Sequence, residues 1–125
     1  VTKENEVIGH CMLIDVDNVN RKAMVGICIG DKNYWNKGYG AEALNLLLDF
    51  GFTLLNLNSI MLGVMSFNKR AISCYKKIGF KEIGRRREAR IIGNEKFDGI
   101  LMDILASEFQ SKYVSKVLKE AKGEI

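Results

Sequence analysis

The sequence predicts a mixed α/β (α+β) domain: a mostly antiparallel central sheet containing one parallel strand–helix–strand crossover. Three observations predict it. Apolar residues switch repeatedly between the two-residue spacing of strands and the three-to-four spacing of helices. The segments fall in the order strand, strand, helix, strand, helix, strand, strand, helix. One strand–helix–strand unit lies in the middle, and such a crossover joins parallel strands with right-handed sense, whereas tight turns on either side dictate antiparallel hairpins. The regular strand–helix alternation of a Rossmann sheet is absent.

Taken in order, Val7–Val16 alternates loosely and is partly β-branched, so it reads as a strand. Asp17-Asn18-Val19-Asn20 is turn-forming, and Ala23–Ile29 is a second strand pairing back on the first. Gly30–Gly40 is a loop rich in Gly, Asn, Asp and Lys. A helix over about Tyr39–Leu55 places Leu44, Leu47, Leu48, Gly51 and Leu55 on one stripe. Ser59–Ser66 is a strand with Ile60, Leu62 and Val64 on one face and Met61, Gly63 and Met65 on the other. Asn68–Ile78 is a helix whose buried side is Ala71, Ile72, Tyr75 and Ile78, ended by Gly79 as a left-handed cap with Phe80 packed back on the last turn. Phe80–Ile92 and Phe97–Ala106 form a hairpin about Gly93-Asn94. Ser107 with Gln110 reads as a capping box opening a last helix striped by Val114, Val117, Leu118 and Ala121. That helix packs either on its own domain, the preferred reading, or on a second subunit.

Composition narrows the function classes. The 125 residues are 47% hydrophobic and 27% charged, enough for one domain with a real core. No apolar run reaches the roughly 18 residues of a membrane span, and no signal-peptide pattern opens the chain, so a cytoplasmic location without membrane association is expected. Cys11, Cys28 and Cys74 are odd in number, widely spaced and free of metal-ligand spacing. They read as small buried hydrophobes, with no metal site expected. A net charge of +4 suits an anionic ligand, and no stacking-aromatic plus basic motif supports nucleic acid as a partner.

The richest chemistry lies in GDKNYWNKGYGA, Gly30–Ala41, between a strand and a helix. Backbone amides at a helix start, glycines at 38 and 40 that permit positive φ, and the Lys37 charge together suit a phosphate or pyrophosphate. The pattern is neither a Walker loop nor GxGxxG, and by loop chemistry alone a plain strand–helix turn is an equal alternative. Downstream, Asn68 opens a helix and Tyr75 lies seven residues on, two turns along the same face. Asn68 can cap the helix or hold a ligand carbonyl; Tyr75 can be a core tyrosine or a proton donor.

These segments resemble one family. KGYGAEAL resembles the acyl-CoA loop of GNAT-type N-acetyltransferases, written R/Q-x-x-G-x-G/A, with Trp35 standing where Arg or Gln is common. NKRAISCYKKIGF resembles the family's N-x-x-A-x-x-x-Y-x-K-x-G-F, matched at Asn68, Ala71, Tyr75, Lys77, Gly79 and Phe80. The similarity is greatest to the ribosomal-protein-alanine and spermidine N-acetyltransferase subgroup. It covers about residues 7–106 and omits the start of the family domain, the first strand and two helices, so an N-terminally truncated GNAT (acyl-CoA N-acyltransferase) fold is expected. Residues 1–106 would be the acetyltransferase domain and 107–125 a C-terminal helix.

The resemblance implies direct transfer of the acetyl group of acetyl-CoA to a primary amine in a ternary complex, as a monomer or homodimer. Tyr75 would protonate the departing thiolate. Coenzyme A would be bound by Ile27, Cys28, Ile29, Asn36, Lys37, Gly38, Tyr39, Gly40, Ala41, Asn68, Arg70, Ala71 and Lys77. The backbone near Ile27–Ile29 would supply the oxyanion donor, where the strand splays from the Ile60–Met65 strand. By their charge alone Arg70, Lys76 and Lys77 could reach the nucleotide phosphates or equally form a solvated face. The family's base is commonly a Glu at the start of that strand; Met24 stands there, and Glu88, Asp98 and His10 are the titratable alternatives. Arg85, Arg86, Arg87 and Arg90 read first as a solvated basic face; as part of an acceptor groove they would disfavour a polycation and favour a peptide N-terminus or acidic acceptor. A polyamine acceptor and a non-catalytic acyl-CoA-binding module are the alternatives.

Overall fold

A computed structural model of the chain describes residues 6–29 and 38–123, without the side chains of 28 and 29. Strands β1 (Gly9–Asp17) and β2 (Lys22–Ile29) pair antiparallel from Gly9↔Ile29 to Asp17↔Lys22. One Asp17 carboxylate oxygen accepts the Val19 and Asn20 N–H groups, at 3.0 Å each, which sets the turn between the strands. Helix α1 (Tyr39–Asp49) crosses to β3 (Ser59–Met65), parallel to β2. Helix α2 (Lys69–Ile78) leads to the hairpin of β4 (Lys81–Ile92) and β5 (Glu95–Leu105), whose two-residue turn has Gly93 at φ 61°. The sheet order is β1-β2-β3-β5-β4, so the predicted mixed sheet with one parallel pair is what forms.

The core follows from the two periodicities meeting. Ile60, Leu62 and Val64 on β3 are buried, as their alternation predicts, and face Leu44 and Leu48 of α1, both fully buried. Burying one such leucine contributes about 1.5–3 kcal/mol. The helical stripe departs from expectation past Asp49. Residues Phe50–Leu54 form a π-helical turn, and Leu55 N–H donates to the Phe50 carbonyl at 3.1 Å, five residues back. The wider turn delays each side chain's rotation. Leu55, expected on the stripe, is therefore 41% exposed, and Leu57 takes the buried place at 2%. Gly51 lies where helix and sheet touch: a Cβ there would stand 2.9 Å from Ile60 Cδ1 and 3.3 Å from Leu13 Cδ1. Only glycine allows that approach without displacing a neighbour.

The C-terminal segment corrects the sequence reading. Ser107 and Gln110 open no helix. A single 3-10 turn covers Ala106–Glu108, where the Glu108 carboxylate accepts Leu105 N–H at 3.0 Å and pairs with Lys81. Helix α3 (Val114–Ala121) begins later, and a distant residue holds its start. Asp49, fully buried at the end of α1, accepts Ser111 Oγ–H at 2.5 Å, Tyr113 N–H at 2.7 Å, Val114 N–H at 3.0 Å and Thr53 Oγ1–H at 2.9 Å. A carboxylate at a helix start satisfies amides that have no partner within the helix and complements the dipole. So α3 is fastened to its own domain at its first turn, while Val117 and Leu118 further along are 61% and 37% exposed. Among the described residues, no helix is long and apolar enough to cross a membrane.

Burial alone would raise the Asp49 pKa; the bonds from Ser111, Val114, Tyr113 and Thr53 outweigh it and hold the carboxyl below its ordinary value. A depressed carboxyl stabilises the fold above its unfolded pKa, about 3.9, and loses that contribution as pH falls through the folded value. Asp49→Asn is expected to cost about 1–3 kcal/mol at pH 7. Chemical denaturation as a function of pH should show the gap between wild type and variant closing below about pH 4.

Candidate active site

The parallel ladder between β2 and β3 is short. It pairs Lys22↔Ser59, Ala23↔Ile60 and Met24↔Met61 and then stops, although the strands run on to Ile29 and Met65. Beyond Met24 the two strands share no ladder among the described residues, so backbone donors and acceptors of 25–29 and 62–65 face a gap in the sheet. An extended ligand carrying amides can complete such an opening as an added strand. The β5 side of β3 stays paired through Met65↔Gly99, which keeps that wall of the gap rigid.

Helix α1 opens beside the C-terminal end of β2. Gly38 adopts the left-handed conformation at φ 79°, its carbonyl accepts Glu42 N–H at 3.0 Å, and among the described residues no side chain caps this end. The first amides of an α-helix have no partner inside the helix and carry the positive end of its dipole. Gly38, Tyr39, Gly40 and Ala41 thus form an anion-suited terminus. Asn36 and Lys37 lie outside the described residues.

Helix α2 presents two faces. Ala71, Ile72, Tyr75 and Ile78 pack on the core; Arg70, Ser73, Cys74, Lys77 and the edge of Ile78 line an open groove of about 570 Å³ against Ala41 and Asn45 of α1, with Lys112 at its rim. The groove takes up three of the expected cofactor residues: Ala41, Arg70 and Lys77. Lys76, next in sequence, turns away and lies 3.9 Å from Glu82. Asn68 spends its Oδ1 on Ala71 N–H at 3.2 Å, so it is a helix cap, and Ala71 beneath it belongs to the core side. Ile27 packs half-buried at the core margin, on the unpaired length of β2; Cys28 and Ile29 continue that length.

Sequence reasoning missed Asn45, Ser73, Cys74, Ile78 and Lys112. Helical spacing could have found most of them, since Asn45 follows Ala41 by one turn and Ser73, Cys74 and Lys77 share the side of Arg70. Nothing local marks Lys112.

Tyr75 is half-buried, with its ring 6.0 Å from that of Phe80 in an edge contact. Gly79, at φ 125°, donates its N–H to the Tyr75 and Lys76 carbonyls, and Phe80 N–H donates to Tyr75 at 3.0 Å, so the helix end fixes both rings. Burial pushes the Tyr75 phenol above its ordinary value, with a smaller push from Cys74, so the hydroxyl is protonated at neutral pH and can give a proton away.

The three expected base candidates separate. His10 is exposed on β1. Glu88 sits at φ 50° in a β4 irregularity between Arg86 and Arg90, and with Arg87 and Asp98 it lines a second cavity of about 580 Å³. The Asp98 carboxylate accepts Glu88 N–H at 2.8 Å and Arg85 Nη1–H at 3.0 Å; both hold it below its ordinary range, which makes it a poor proton acceptor. Among the described residues no cluster of three or more His, Cys, Asp or Glu could hold a metal.

A gap beside a three-rung parallel ladder, a helix start suited to phosphate and a tyrosine on the next helix are the three parts of the candidate site. The family model described as "Acetyltransferase (GNAT) domain" matches residues 1–81, and the chain belongs to that family. It is similar to an uncharacterized N-acetyltransferase, p20, of Bacillus licheniformis, 36% identical over 104 residues covering 83% of this chain and 55% of the relative. It is also similar to the spermidine N(1)-acetyltransferase of Escherichia coli (strain K12), 33% identical over 113 residues covering 90% of this chain and 58% of the relative. Among solved structures, the spermidine N-acetyltransferase from Vibrio cholerae in complex with CoA and spermine aligns with TM-score 0.79 and 33% identity over 84% of this chain and 62% of that one. The chain therefore spans a little over half the length of these curated relatives.

The cap reading of Asn68 is checked by stability. Asn68→Ala is expected to cost about 1 kcal/mol, and Asn68→Asp, which keeps the accepting oxygen, a few tenths at most, by urea denaturation.

Proposed function

We propose that the protein transfers the acetyl group of acetyl-CoA directly to a primary amine, without an acyl-enzyme. The observation that carries this reading is the early end of the β2–β3 ladder, next to the α1 start and the groove lined by Arg70 and Lys77. In this reading Gly38–Ala41, with Asn36 and Lys37, bind the coenzyme A diphosphate through backbone amides, and Ile27–Ile29 offer backbone partners to the pantetheine arm and the thioester oxygen. The amine nitrogen attacks the thioester carbonyl, a C–N bond forms, the C–S bond breaks, and the thiolate leaves. The phenol of Tyr75 supplies the thiolate's proton. Met24 cannot take the amine's proton, so it leaves with solvent or the amine arrives neutral. Residues 1–106 would constitute the transferase domain, and 107–125 the segment that carries α3.

The names of the relatives favour a polyamine acceptor. The basic strand opposes it less than its sequence suggests, since Arg85 is paired with Asp98 at 3.0 Å. Arg86, Arg87 and Arg90 remain exposed on β4 and support a second reading, a peptide N-terminus or an acidic acceptor. Thiol release from acetyl-CoA with spermidine, N-terminal peptides and amino sugars separates the two; no turnover with any amine would leave a non-catalytic acyl-CoA-binding module.

Tyr75→Phe is expected to lower kcat by about 100-fold or more with coenzyme A affinity within about twofold of wild type. Because burial raises this phenol's pKa, wild-type kcat should hold through neutral pH and fall only above about pH 10, and the residual activity of the variant should lack that limb.

A further inference from the structure

Two glycines face each other across the opening between β2 and β3. The parallel ladder ends at Met24↔Met61; its register, carried two residues further, sets Gly26 opposite Gly63. Side chains alternate between the faces of a strand. Ala23, Val25, Ile60, Leu62 and Val64 are buried in the layer shared with α1 and α2. Gly26 and Gly63 therefore belong to the other face, with Met24 and Met61.

A glycine inside a strand ordinarily answers to a positive φ, a bulge, or close approach by another part of the chain or by a ligand. Neither Gly26 nor Gly63 has a positive φ. Neither sits at a bulge, since Met12↔Gly26 and Gly63↔Leu101 lie in unbroken register. Nor does the chain crowd them. A Cβ on Gly26 would stand 3.5 Å from Met12 Cγ, and one on Gly63 would stand 4.0 Å from Leu101 Cδ2, both ordinary contacts. Gly51, by contrast, has Ile60 Cδ1 at 2.9 Å. Approach by a ligand is the cause that remains. The helix side of the opening is closed by Val25, Leu62 and Val64, all buried, with α1 and α2 behind them. An amine attacking a thioester held in the opening must then come from the glycine side.

Resting on the acetyl-transfer reading, we propose that Gly26 and Gly63 are specificity-determining residues for the acceptor. The bare positions leave room at the mouth for an amine on a branched carbon, the chemistry of a peptide α-amine. An unbranched amine puts one methylene beside the attacking nitrogen and needs no clearance on both strands. A branched carbon carries a second substituent, which the space above the two glycines receives. Met24 and Met61, half-buried beside the mouth on the last rung, are flexible and polarizable, suited to an apolar substituent.

Thiol release from acetyl-CoA by the 125-residue chain tests this, with spermidine and two peptides differing only in a first residue of glycine or leucine. Wild type should turn over the leucine peptide with kcat/KM within about threefold of the glycine peptide. Gly63→Val puts a branched side chain at the mouth in a residue type that strands favour, so thermal stability should hold. It should lower the leucine-to-glycine ratio of kcat/KM by about tenfold or more. Gly26→Ala, which adds one methyl group from the other strand, should lower the same ratio by about threefold. Ratios unchanged in both variants, or a wild type that already rejects the leucine peptide, would overturn the assignment. Turnover of spermidine with neither peptide would overturn it while leaving acetyl transfer intact; turnover of no amine would remove that reading itself.

Discussion

The three-rung parallel ladder between β2 and β3 is the constraint from which the candidate site follows. A strand–helix–strand crossover must bring two strands side by side, but it does not require them to stay so. Here Ala23 pairs with Ile60 in the core while the strands have ceased pairing beyond Met24 and Met61. Strands splay when each is held more firmly elsewhere. β2 is tied along its length to β1, and β3 along its length to β5. The apolar layer of Leu44 and Leu48 covers the joined end, so the opening costs backbone pairing without emptying the core.

Around that opening, the residues of α2 divide by side. Tyr75 and Ile72 point to the core; Arg70, Ser73 and Lys77 look outward across the groove. The division explains why adjacent lysines behave differently, Lys77 lining the groove and Lys76 near Glu82. It also reconciles the two readings of Tyr75. A tyrosine packed edge-on against Phe80 is a core residue, and the same burial keeps its hydroxyl protonated.

Asp49 binds the far end of the chain into this arrangement. A fully buried carboxylate is costly unless its oxygens are satisfied, and here four donors satisfy them, three from the segment Ser111–Val114. One side chain thereby closes the end of α1, starts α3 and fixes the stretch that carries Lys112. The acidic end of one helix becomes the N-terminal anchor of another.

By itself the sequence determined the element order, the alternating buried face of β3, the turn at Gly93 and the family, because each is written in local periodicity or in motifs of fixed spacing. Three residues that it singled out, Ala41, Arg70 and Lys77, line one groove in the fold. Only tertiary structure decided where the stripe of α1 breaks: Gly51 pressed against Ile60 and Leu13 is satisfied by a π turn, and a long-range contact of that kind leaves no periodic trace. Only it decided that the final helix starts at Val114 instead of near Ser107, because the capping group lies more than sixty residues away, at Asp49. Local signals report what a residue does with its neighbours in sequence. Asp49 acts on neighbours in space, and the folded chain is where those become known.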